Sequence, residues 1–506
     1  MLRWIVGIHK KQLGLCFISS LLLSFPFLNP KFALFAWFGF IPFFSALKGK
    51  NGIHAFILSY LTGALFWAVT IYWLVNVTLL GTILLVFYLA LYFGVFGLAI
   101  SALTKNSKTY SIILIPSIWV VLEYLRSHLL TGFPWSLLGY SQYLNLHIIQ
   151  IADISGIWGV SFVIVMFNTA LYSLLNGRFL LVKQPKRGFL FTLFFLSLCF
   201  IYSLNRIGIY SSVNIKNKAK AVKLSVVQPN IPQEMKWAAS SRKLIMERYF
   251  DITDKAAGDN PDLIIWPEAA LPVVLEEEPS YYLSLRDYVQ GISRHLLFGA
   301  VTFKDGFYYN SAVFLSSNAD LLGQYDKLHL VPFGEYIPFR NLLKFLDTIA
   351  PIGDIAKGKD YTIFKFPDSF GVLICFEDVF PHIARGFVSR DARFLVNITN
   401  DAWFGKTPEA SQHLAASVFR AIENRVFLVR SANTGISGFI SDYGKVFSLV
   451  SDEKGNNIFI AGHKTDKVYI YPKPRTIYNR FGDFFPVGCL LAVFINLMIA
   501  LRGKKE

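Results

Sequence analysis

The stretch "GVLICFED", residues 371–378, ends an apolar run on a cysteine and places two acids directly behind it. The aliphatic run before Cys375 is typical of a buried strand, so this stretch indicates an α/β domain with a thiol at a strand end. The remaining cysteines lie inside long apolar stretches and are Cys16, Cys199 and Cys489. Because Glu377 and Asp378 disfavour an anionic sulfur, a reactive Cys375 requires a base and a cation from elsewhere in the chain.

The composition around this stretch is that of a membrane protein with a water-exposed part. The chain has 506 residues, of which 54% are hydrophobic and 16% charged, and its mean hydropathy is +0.45. Ordinary soluble domains carry about 25% charged residues. Four cysteines, three of them in apolar runs, do not form the pattern of a disulfide framework.

The net charge of +16 is unevenly distributed. Residues 1–204 and 482–506 together hold 16 basic and 4 acidic residues, whereas residues 205–481 hold 33 basic and 29 acidic residues. The excess of positive charge therefore belongs to the apolar part. There it reports membrane topology, and it does not indicate a nucleic-acid partner.

Apolar stretches close to the length that a bilayer requires recur along the chain and predict about eight membrane spans. They lie at residues 13–29, 33–47, 54–74, 82–103, 110–125, 157–175, 189–204 and 484–501. We expect Pro42 to kink the short second span.

The charges between these spans predict the topology. Fourteen Lys and Arg residues fall in segments on one side, against Lys31 and Arg126 on the other. By the positive-inside rule both termini are cytoplasmic and the long segment between the last two spans is outside. The predicted organisation is a membrane domain at 1–204 with about seven helices, an outer domain at 205–483, and a last span with a basic tail at 484–506.

The outer segment alternates strand-like and helical patterns. Short runs rich in β-branched and aromatic residues occur at 223–228, 262–268, 295–301, 309–317, 371–377, 393–399, 426–433 and 437–444. Helical patterns lie at 240–257 and 411–425. Mixed strands and helices predict a layered α/β domain.

Three titratable residues follow strand-like runs, the position where α/β folds place catalytic groups. Glu268 ends "DLIIWPE", Lys327 ends "LLGQYDK" and Cys375 ends "GVLIC". Glu268 could take the thiol proton, and Lys327 could stabilise the thiolate and then the oxyanion formed when sulfur attacks a carbonyl. The backbone N–H of Phe376 is a candidate second donor to that oxyanion.

Each of these residues also has a structural interpretation. A cysteine at a strand end is commonly a small buried hydrophobe. Glu268 after Trp-Pro is compatible with a solvated turn, and Lys327 with a surface charge. Spacing alone does not show that three residues so far apart in sequence meet in space.

Several motifs together resemble the bacterial apolipoprotein N-acyltransferase family, the membrane-bound branch of the nitrilase (carbon–nitrogen hydrolase) superfamily. The motifs are "EYLRSHLLTGFPWSLLGYSQ" (123–142), "VVQPNIPQEMKW" (226–237), "IIWPEAA" (264–270), "YDKLHLVPFGEYIPF" (325–339), "LICFED" (373–378) and "NITNDAWFG" (397–405). Any one of them is weak, but together they span nearly the whole chain in order.

The resemblance implies a polytopic α-helical membrane protein carrying one nitrilase-like αββα sandwich on the outer face. It implies that Glu268, Lys327 and Cys375 form the catalytic triad. Cys375 is then expected to take an acyl chain as a thioester from a phospholipid, typically phosphatidylethanolamine. The α-amino group of a lipoprotein's diacylglyceryl-cysteine receives the chain in ping-pong fashion, without metal or cofactor. The implied location is the bacterial inner membrane, with the catalytic domain in the periplasm.

Further positions match the family's motifs. Glu335 matches a glutamate that orients the lysine, and Glu377 a second required glutamate. Phe376 stands where relatives often have tyrosine, so a hydroxyl cannot be required there. Trp237 and Trp403 match tryptophans near the lipid entrance. Their structural alternatives are a solvated acid for Glu335, membrane-interface anchoring for Trp237 and core packing for Trp403.

Three weaker expectations concern the surroundings of the site. Arg126, on the outer side, is a candidate ligand for phospholipid phosphate, and its structural alternative is packing alone. The apolar run 331–346 is expected to cover the thioester, and the aromatic run 275–288 to be a loop that approaches the membrane. Relatives often carry Phe-Ser-x-Gly before the nucleophile, where this chain has Ile-Ala-Lys-Gly at 355–358, so acyl or head-group preference can differ.

Other functions remain open at this stage. A membrane-tethered amidase would use the same triad on small amides and release ammonia. A transporter with an outer accessory domain would need polar pairs deep in several spans, and the spans carry few charges. A catalytically inactive chain is disfavoured, because all three triad residues are intact.

Overall fold

The computed structural model describes residues 9–103, 111–176, 184–212, 217–336 and 355–502. It divides into two compact units. The helical unit takes the described residues within Met1–Gly208, Thr407–Ala415 and Phe481–Glu506, and the sandwich unit takes those within Ile209–Lys406 and Ala416–Arg480. The predicted domain limits lie at 204/205 and 483/484. No sequence pattern indicated that Thr407–Ala415 groups with the helical unit.

The helical unit consists of apolar helices and short connecting turns. The helices are α1 (Lys10–Leu28), α2 (Phe40–Leu47), α3 (Gly52–Thr70), α4 (Leu79–Leu103), α5 (Ser111–His128), α6 (Leu146–Ile149), α7 (Ala152–Ser155), α8 (Ile157–Asn176), α9 (Pro185–Tyr210) and the C-terminal helix Phe484–Arg502. Aromatic rings fill its centre: Trp119 packs edge-on against Phe40 at 4.9 Å and Phe96 at 5.0 Å between ring centroids.

Six segments among the described residues are long and apolar enough to cross a membrane. They are Lys10–Leu28, Pro30–Leu47, Gly52–Thr70, Leu79–Leu103, Ile157–Asn176 and Pro185–Tyr210. Helices also occupy the predicted spans at 110–125 and 484–501, but α5 carries Glu123 and Arg126 and falls outside this set. The apolar part of the C-terminal helix, Phe484–Ile499, is shorter. Eight spans therefore stay a prediction.

The kink expected at Pro42 lies elsewhere. Residues Pro30–Trp37 form a 3₁₀ helix, and α2 begins only at Phe40. Pro42 thus occupies the first turn of α2, where a missing N–H costs no intrahelical hydrogen bond. The break in this segment is at Phe38–Gly39.

The sandwich unit contains two six-stranded sheets. Their strands are β1 (Lys220–Gln228), β2 (Leu263–Ile265), β3 (His295–Lys304), β4 (Phe307–Leu315), β5 (Leu321–Asp326), β6 (Phe364–Lys365), β7 (Ser369–Ile374), β8 (Phe394–Thr399), β9 (Phe427–Ala432), β10 (Gly438–Ile440), β11 (Val446–Phe447) and β12 (Gly462–Ile470). The strand orders are β12-β1-β2-β3-β4-β5 and β11-β10-β9-β8-β7-β6.

The centre of each sheet is parallel, because its strands are nearly continuous apolar runs that bury both faces. Strands β1, β2 and β3 run parallel in one sheet, and β7, β8 and β9 in the other. The sheets face each other. Phe314 of β4 packs 5.6 Å from Phe370 of β7, and the Ser431 hydroxyl of β9 donates to carbonyls of Val227 and Ile265.

Helices cover the outer faces and complete the predicted αββα order. They are α10 (Arg242–Gly258), α11 (Pro279–Ile292), α12 (Pro381–Ser389), α13 (Glu409–Asn424) and the short α14 (Ile477–Phe481). Of the last two helices, residues 416–424 and 477–480 belong to this unit. Helices α10 and α11 share an apolar cluster with β2 and β3. Helix α12 packs on β7, and Ser417 of α13 bonds to Arg430 of β9.

Two features of this unit differ from the sequence-based expectation. The run 275–288 is not a loop: it leads into α11, whose Leu285 and Val289 are fully buried in the cluster under the first sheet. Strand β12 was not predicted, since its alternating lysines and aspartate hide the pattern. It pairs antiparallel with β1 along nine residues.

Candidate active site

Cys375 lies at the carboxyl end of β7, where it begins the 3₁₀ turn Cys375–Val379. Its φ is +52°, a left-handed conformation that non-glycine residues seldom adopt and that clusters at functional sites. All four cysteines are within the described residues, and Cys375 alone is partly exposed while the other three are buried. The backbone therefore turns this one thiol out of the strand, which a merely packed cysteine does not require.

Glu268 lies in the turn after β2, at the matching end of the facing sheet. One carboxylate oxygen accepts a hydrogen bond from the Asn310 side chain at 2.7 Å, and the other accepts the Asn400 backbone N–H at 3.0 Å. The residue is 8% exposed. These two donors fix the orientation of the carboxylate, which excludes the solvated-turn interpretation.

Gly299 of β3 allows the turn that carries Glu268 to approach. A β-carbon at position 299 would lie 2.6 Å from Cα of Glu268 and 2.5 Å from the Ala269 nitrogen. No side chain tolerates such distances to backbone atoms. The Gly299 N–H and carbonyl instead bond to the Pro267 carbonyl and the Ala270 N–H, so the glycine pins the turn on both sides.

Lys327 follows β5 and is 1% exposed. Its ammonium lies 2.9 Å from a carboxylate oxygen of Glu335 and 3.6 Å from one of Glu268. Its backbone N–H donates to the Asn310 carbonyl at 2.9 Å. A buried ammonium needs such charged partners, so Lys327 is no surface charge and lies beside the candidate base.

Glu335 belongs to the same cluster. The Asn310 side chain donates to Glu335 at 2.8 Å as well as to Glu268, and the other oxygen of Glu335 accepts the Val331 N–H at 2.7 Å. Glu335 is therefore fixed beside Lys327, and its role in orienting that lysine stays a prediction.

The charges of Glu268 and Lys327 both act on Cys375. Burial raises the pKa of the Cys375 thiol well above its ordinary value, the Glu268 carboxylate raises it further, and Lys327 opposes both. Burial lowers the pKa of Lys327, but the carboxylates of Glu335 and Glu268 outweigh burial and hold it above its ordinary value. The site at rest therefore combines a protonated thiol, a fixed carboxylate and a permanent ammonium, as general-base activation requires.

Glu377, two residues after the nucleophile, joins two loops. The carboxylate is fully buried and accepts hydrogen bonds from both sides. Its donors are Tyr325 Oη (2.8 Å), Leu328 N (2.6 Å), His329 N (3.0 Å) and Ile374 N (2.8 Å). Burial raises the pKa of Glu377 to about 7 despite these donors. Because these donors are sequence neighbours of Lys327 and Cys375, Glu377 fixes the position of the Lys327 segment relative to the Cys375 segment.

A buried polar network under the nucleophile was not predicted. Asn397 of β8 donates to the Cys375 carbonyl at 3.2 Å and accepts from Arg430 of β9 at 2.6 Å. The Arg430 guanidinium also lies 3.1 Å from both Asp378 and Asp401. Sequence reasoning read "FLVNIT" and "FLVRSA" as plain strands, although a charged or amide residue inside such a run indicates a buried polar contact.

Two residues close to the triad were also missed. Asn310 interrupts the apolar strand β4 and bonds to both carboxylates. Lys236 adjoins the predicted Trp237, yet its side chain is buried and donates to the Glu268 carbonyl at 3.0 Å. A lysine in a turn is normally read as solvated, so sequence alone offered no signal for it.

The remaining predicted residues lie as follows. The Phe376 ring packs 5.1 Å from Phe380, beside the nucleophile. Trp237 is 48% and Trp403 52% exposed, so Trp403 is not a core residue. Of the predicted cover 331–346, residues 337–346 lie outside the described residues.

Arg126 is buried, which is not expected of a residue that binds the phosphate of a phospholipid. It is 4% exposed, and its guanidinium donates to the carbonyls of Phe133 and Trp135 at 2.6 and 2.8 Å. The same group lies 4.7 Å from the ring centre of Trp67. The predicted role in phosphate binding conflicts with this burial, and the packing alternative describes Arg126 better.

The chain matches two protein families over most of its length. Residues 19–170 match the apolipoprotein N-acyltransferase N-terminal domain, and residues 223–472 match the carbon-nitrogen hydrolase family. Among solved structures, a mutant of the amidase from Nesterenkonia sp. AN1 is similar with a TM-score of 0.39 and 13% identity, covering 52% of this chain and 98% of that chain.

Curated relatives match along both units. Apolipoprotein N-acyltransferase of Rickettsia prowazekii is 32% identical over 82% of this chain and 83% of its own length. The enzyme of that name from Geobacter metallireducens is 34% identical over 98% of this chain and 97% of its own length. With similarity of this extent across both units, the chain belongs to the apolipoprotein N-acyltransferase family.

Proposed function

We propose that this protein transfers an acyl chain from a phospholipid, through a thioester on Cys375, to the α-amino group of the N-terminal diacylglyceryl-cysteine of apolipoproteins. The observation that carries the proposal is the cluster at the strand ends: a turned-out thiol acted on by a fixed carboxylate and a buried ammonium. Membership of the acyltransferase family supports this substrate pair, and phosphatidylethanolamine is the proposed donor.

In the first half-reaction, the Cys375 sulfur attacks the ester carbonyl of the phospholipid while Glu268 accepts the thiol proton. The oxyanion that forms is stabilised by Lys327 and by the Phe376 N–H. Breaking of the ester C–O bond leaves a lysophospholipid alkoxide, which takes the proton back from Glu268. The enzyme then carries the chain as a thioester.

In the second half-reaction, the neutral α-amine of the acceptor attacks the thioester carbonyl and gives a proton to Glu268. The C–S bond breaks, and the sulfur recovers that proton. The products are an N-acylated lipoprotein and the free Cys375 thiol. The mechanism requires no metal or cofactor, since every proton returns to the group that needs it.

A membrane location suits this chemistry. We propose that the helical unit spans the bacterial inner membrane, with both termini cytoplasmic and the catalytic unit periplasmic. Donor and acceptor are both lipid-anchored, so confinement to the membrane raises their effective concentration at the thiol. Transfer also requires that water be kept from the thioester until the amine arrives.

Intact-mass measurement of the purified protein with phosphatidylethanolamine tests the proposal. We expect a mass gain of one acyl group that a diacylated lipopeptide discharges. The gain should vanish in Cys375→Ala and persist in the matched control Cys199→Ala, whose thiol is buried. Absence of an acyl-enzyme, together with ammonia release from small amides, would replace this function by that of a membrane-tethered amidase.

A further inference from the structure

The turn that follows β1 places two adjacent side chains in opposite environments. Trp237 is 48% exposed, whereas Lys236 is 5% exposed. Lys236 caps the 3₁₀ turn Gln233–Met235. Lysines are almost never fully buried unless their charge has a partner. The burial of Lys236 thus requires an explanation that a solvated turn does not supply.

The Lys236 ammonium reaches the base of the proposed triad. Its Nζ donates to the backbone carbonyl of Glu268 at 3.0 Å, in the turn where the next residue, Ala269, has a φ of +44°. The ammonium therefore holds the strained turn that aims the carboxylate. Gly299, on the neighbouring strand β3, holds the same turn through its backbone.

The charge of Lys236 also acts on the reacting groups. Burial lowers the pKa of Lys236 to about 8, and the negative charges of Glu268 and Cys375 oppose this lowering. Coulomb interactions are mutual, so a protonated Lys236 favours an anionic sulfur at Cys375. The charged groups that act most strongly on that sulfur are Glu268, Lys327 and Asp401.

We propose that Lys236 is a second positioning cation of the active site, which holds the Glu268 turn in place and stabilises the anionic form of the Cys375 sulfur. The Lys327 ammonium is paired with the Glu335 carboxylate and remains charged. The Lys236 ammonium bonds to a neutral carbonyl, so its charge interacts with Glu268 and Cys375. The inference rests on the proposed function for its role in turnover, but its effect on the thiol can be measured without substrate.

Alkylation of Cys375 by iodoacetamide tests this role directly. The test uses a background with Cys16→Ala, Cys199→Ala and Cys489→Ala, so that Cys375 is the thiol that reacts. The alkylation rate is followed by intact mass between about pH 6 and pH 10. Because Lys236, with a pKa of about 8, is charged only on the acid side of this range, we expect Lys236→Met to shift that side of the pH–rate profile. Alkylation should slow about tenfold at pH 6–7, where the Lys236 ammonium is protonated, and approach the wild-type rate above about pH 8, where it is not. Lys236→Arg keeps the charge and should restore most of the rate.

Lys243→Met is the matched control, because Lys243 lies in the next helix with its side chain 88% exposed. We expect its profile to match that of the wild type. An unshifted profile in Lys236→Met overturns the proposal, as does Lys236→Arg behaving like Lys236→Met, because a purely structural role would depend on shape and not on charge. If Lys236→Met does not fold, the comparison of Lys236→Gln with Lys236→Arg decides by the same criterion.

The outcome is separable from that of the proposed function. A shifted alkylation profile without any acyl-enzyme from phospholipid leaves the Lys236 inference standing and overturns the acyl transfer. Normal acyl-enzyme formation in Lys236→Met with an unshifted alkylation profile overturns the Lys236 inference and leaves the acyl transfer standing.

Discussion

The helical unit and the sandwich unit both bury charged side chains, but they arrange them differently. In the helical unit, Arg126 donates to two carbonyls that lie seven and nine residues further along the chain. Glu123, one turn earlier on α5, accepts the Leu138 N–H at 2.7 Å. Both charges bind backbone groups of the same unit.

In the sandwich unit, buried charges from distant parts of the chain face one another and a single thiol. Lys327 contacts Glu335 and Glu268, and the charges of Lys327 and Glu268 act on Cys375. Burial of charge is costly in both units. What distinguishes a candidate catalytic site is therefore the convergence of the charges on a nucleophile, and burial alone does not identify one.

The largest effect that sharpens this comparison is expected from Glu268→Gln. The amide cannot accept the thiol proton, so formation of the acyl-enzyme should slow about 10²- to 10⁴-fold. Single-turnover acylation followed by intact mass measures the rate. Glu247→Gln, at a side chain 55% exposed on α10, is the control and should acylate normally. An unchanged rate in Glu268→Gln would remove this carboxylate from the mechanism.

The second prediction addresses the helical unit. Arg126→Met leaves two carbonyls without a donor and Glu123 without a neighbouring cation, so we expect a loss of about 3–5 kcal/mol in stability. The melting temperature in detergent should fall, while acylation per folded molecule should not change. A raised KM for phospholipid at an unchanged melting temperature would instead restore the phosphate-binding role that the sequence suggested.

The sequence predicted the sandwich well because its signals are local. Runs such as "DLIIWPE" and "RFLVNIT" carry the apolar content of buried parallel strands, and β2 and β8 lie there. The carboxyl-end rule then placed Glu268 and Cys375 at the correct edge. Strand β12 was missed because its lysines and aspartate hide the strand pattern, and its pairing with β1, about 240 residues away, leaves no local signal.

The same limit applies to the site. Glu268, Lys327 and Cys375 could be named from residue type, position and motif. Lys236 and Asn310 could not, since their roles arise from burial against other segments. Arg126 was misread for a related reason: its sequence position predicts an outer cation, but the carbonyls that it binds appear only after the chain folds back.

The third prediction concerns the contribution of one buried carboxyl group of the sandwich unit, that of Glu377, to the stability of the fold. Glu377 has a pKa raised from 4.5 to about 7, so the folded protein keeps a proton there that the unfolded chain releases. Its contribution to stability is complete below about pH 4.5 and declines by up to about 3 kcal/mol as pH rises through 7.

The difference in melting temperature between wild type and Glu377→Gln should therefore shrink from pH 5 to pH 8. Glu453→Gln, at an exposed position, is the control and should change the melting temperature little. A difference that grows with pH would mean that the backbone donors outweigh burial and that Glu377 is ionised in the folded protein.

The smallest effect is expected at Glu335, which holds both the Lys327 ammonium and the backbone of its own loop. Its two oxygens face donors on both sides, Lys327 and Asn310 on one and Val331 on the other. An amide can accept from only one side, so Glu335→Gln should lose a charge-assisted hydrogen bond of about 1.5–3 kcal/mol. Acylation should slow roughly 10- to 100-fold, less than in Glu268→Gln.

Because Glu335 acts through Lys327, we expect the Glu335→Gln variant to lose further acylation rate when Glu268→Gln is added. In the double variant Glu335→Gln with Glu268→Gln, acylation should be no slower than the product of the two single effects. A Glu335→Gln loss as large as that of Glu268→Gln would mean that Glu335 itself exchanges a proton with substrate. The distinction between charges that only position other groups and charges that react would then have to be drawn within this cluster. A comparison of the two units would no longer supply it.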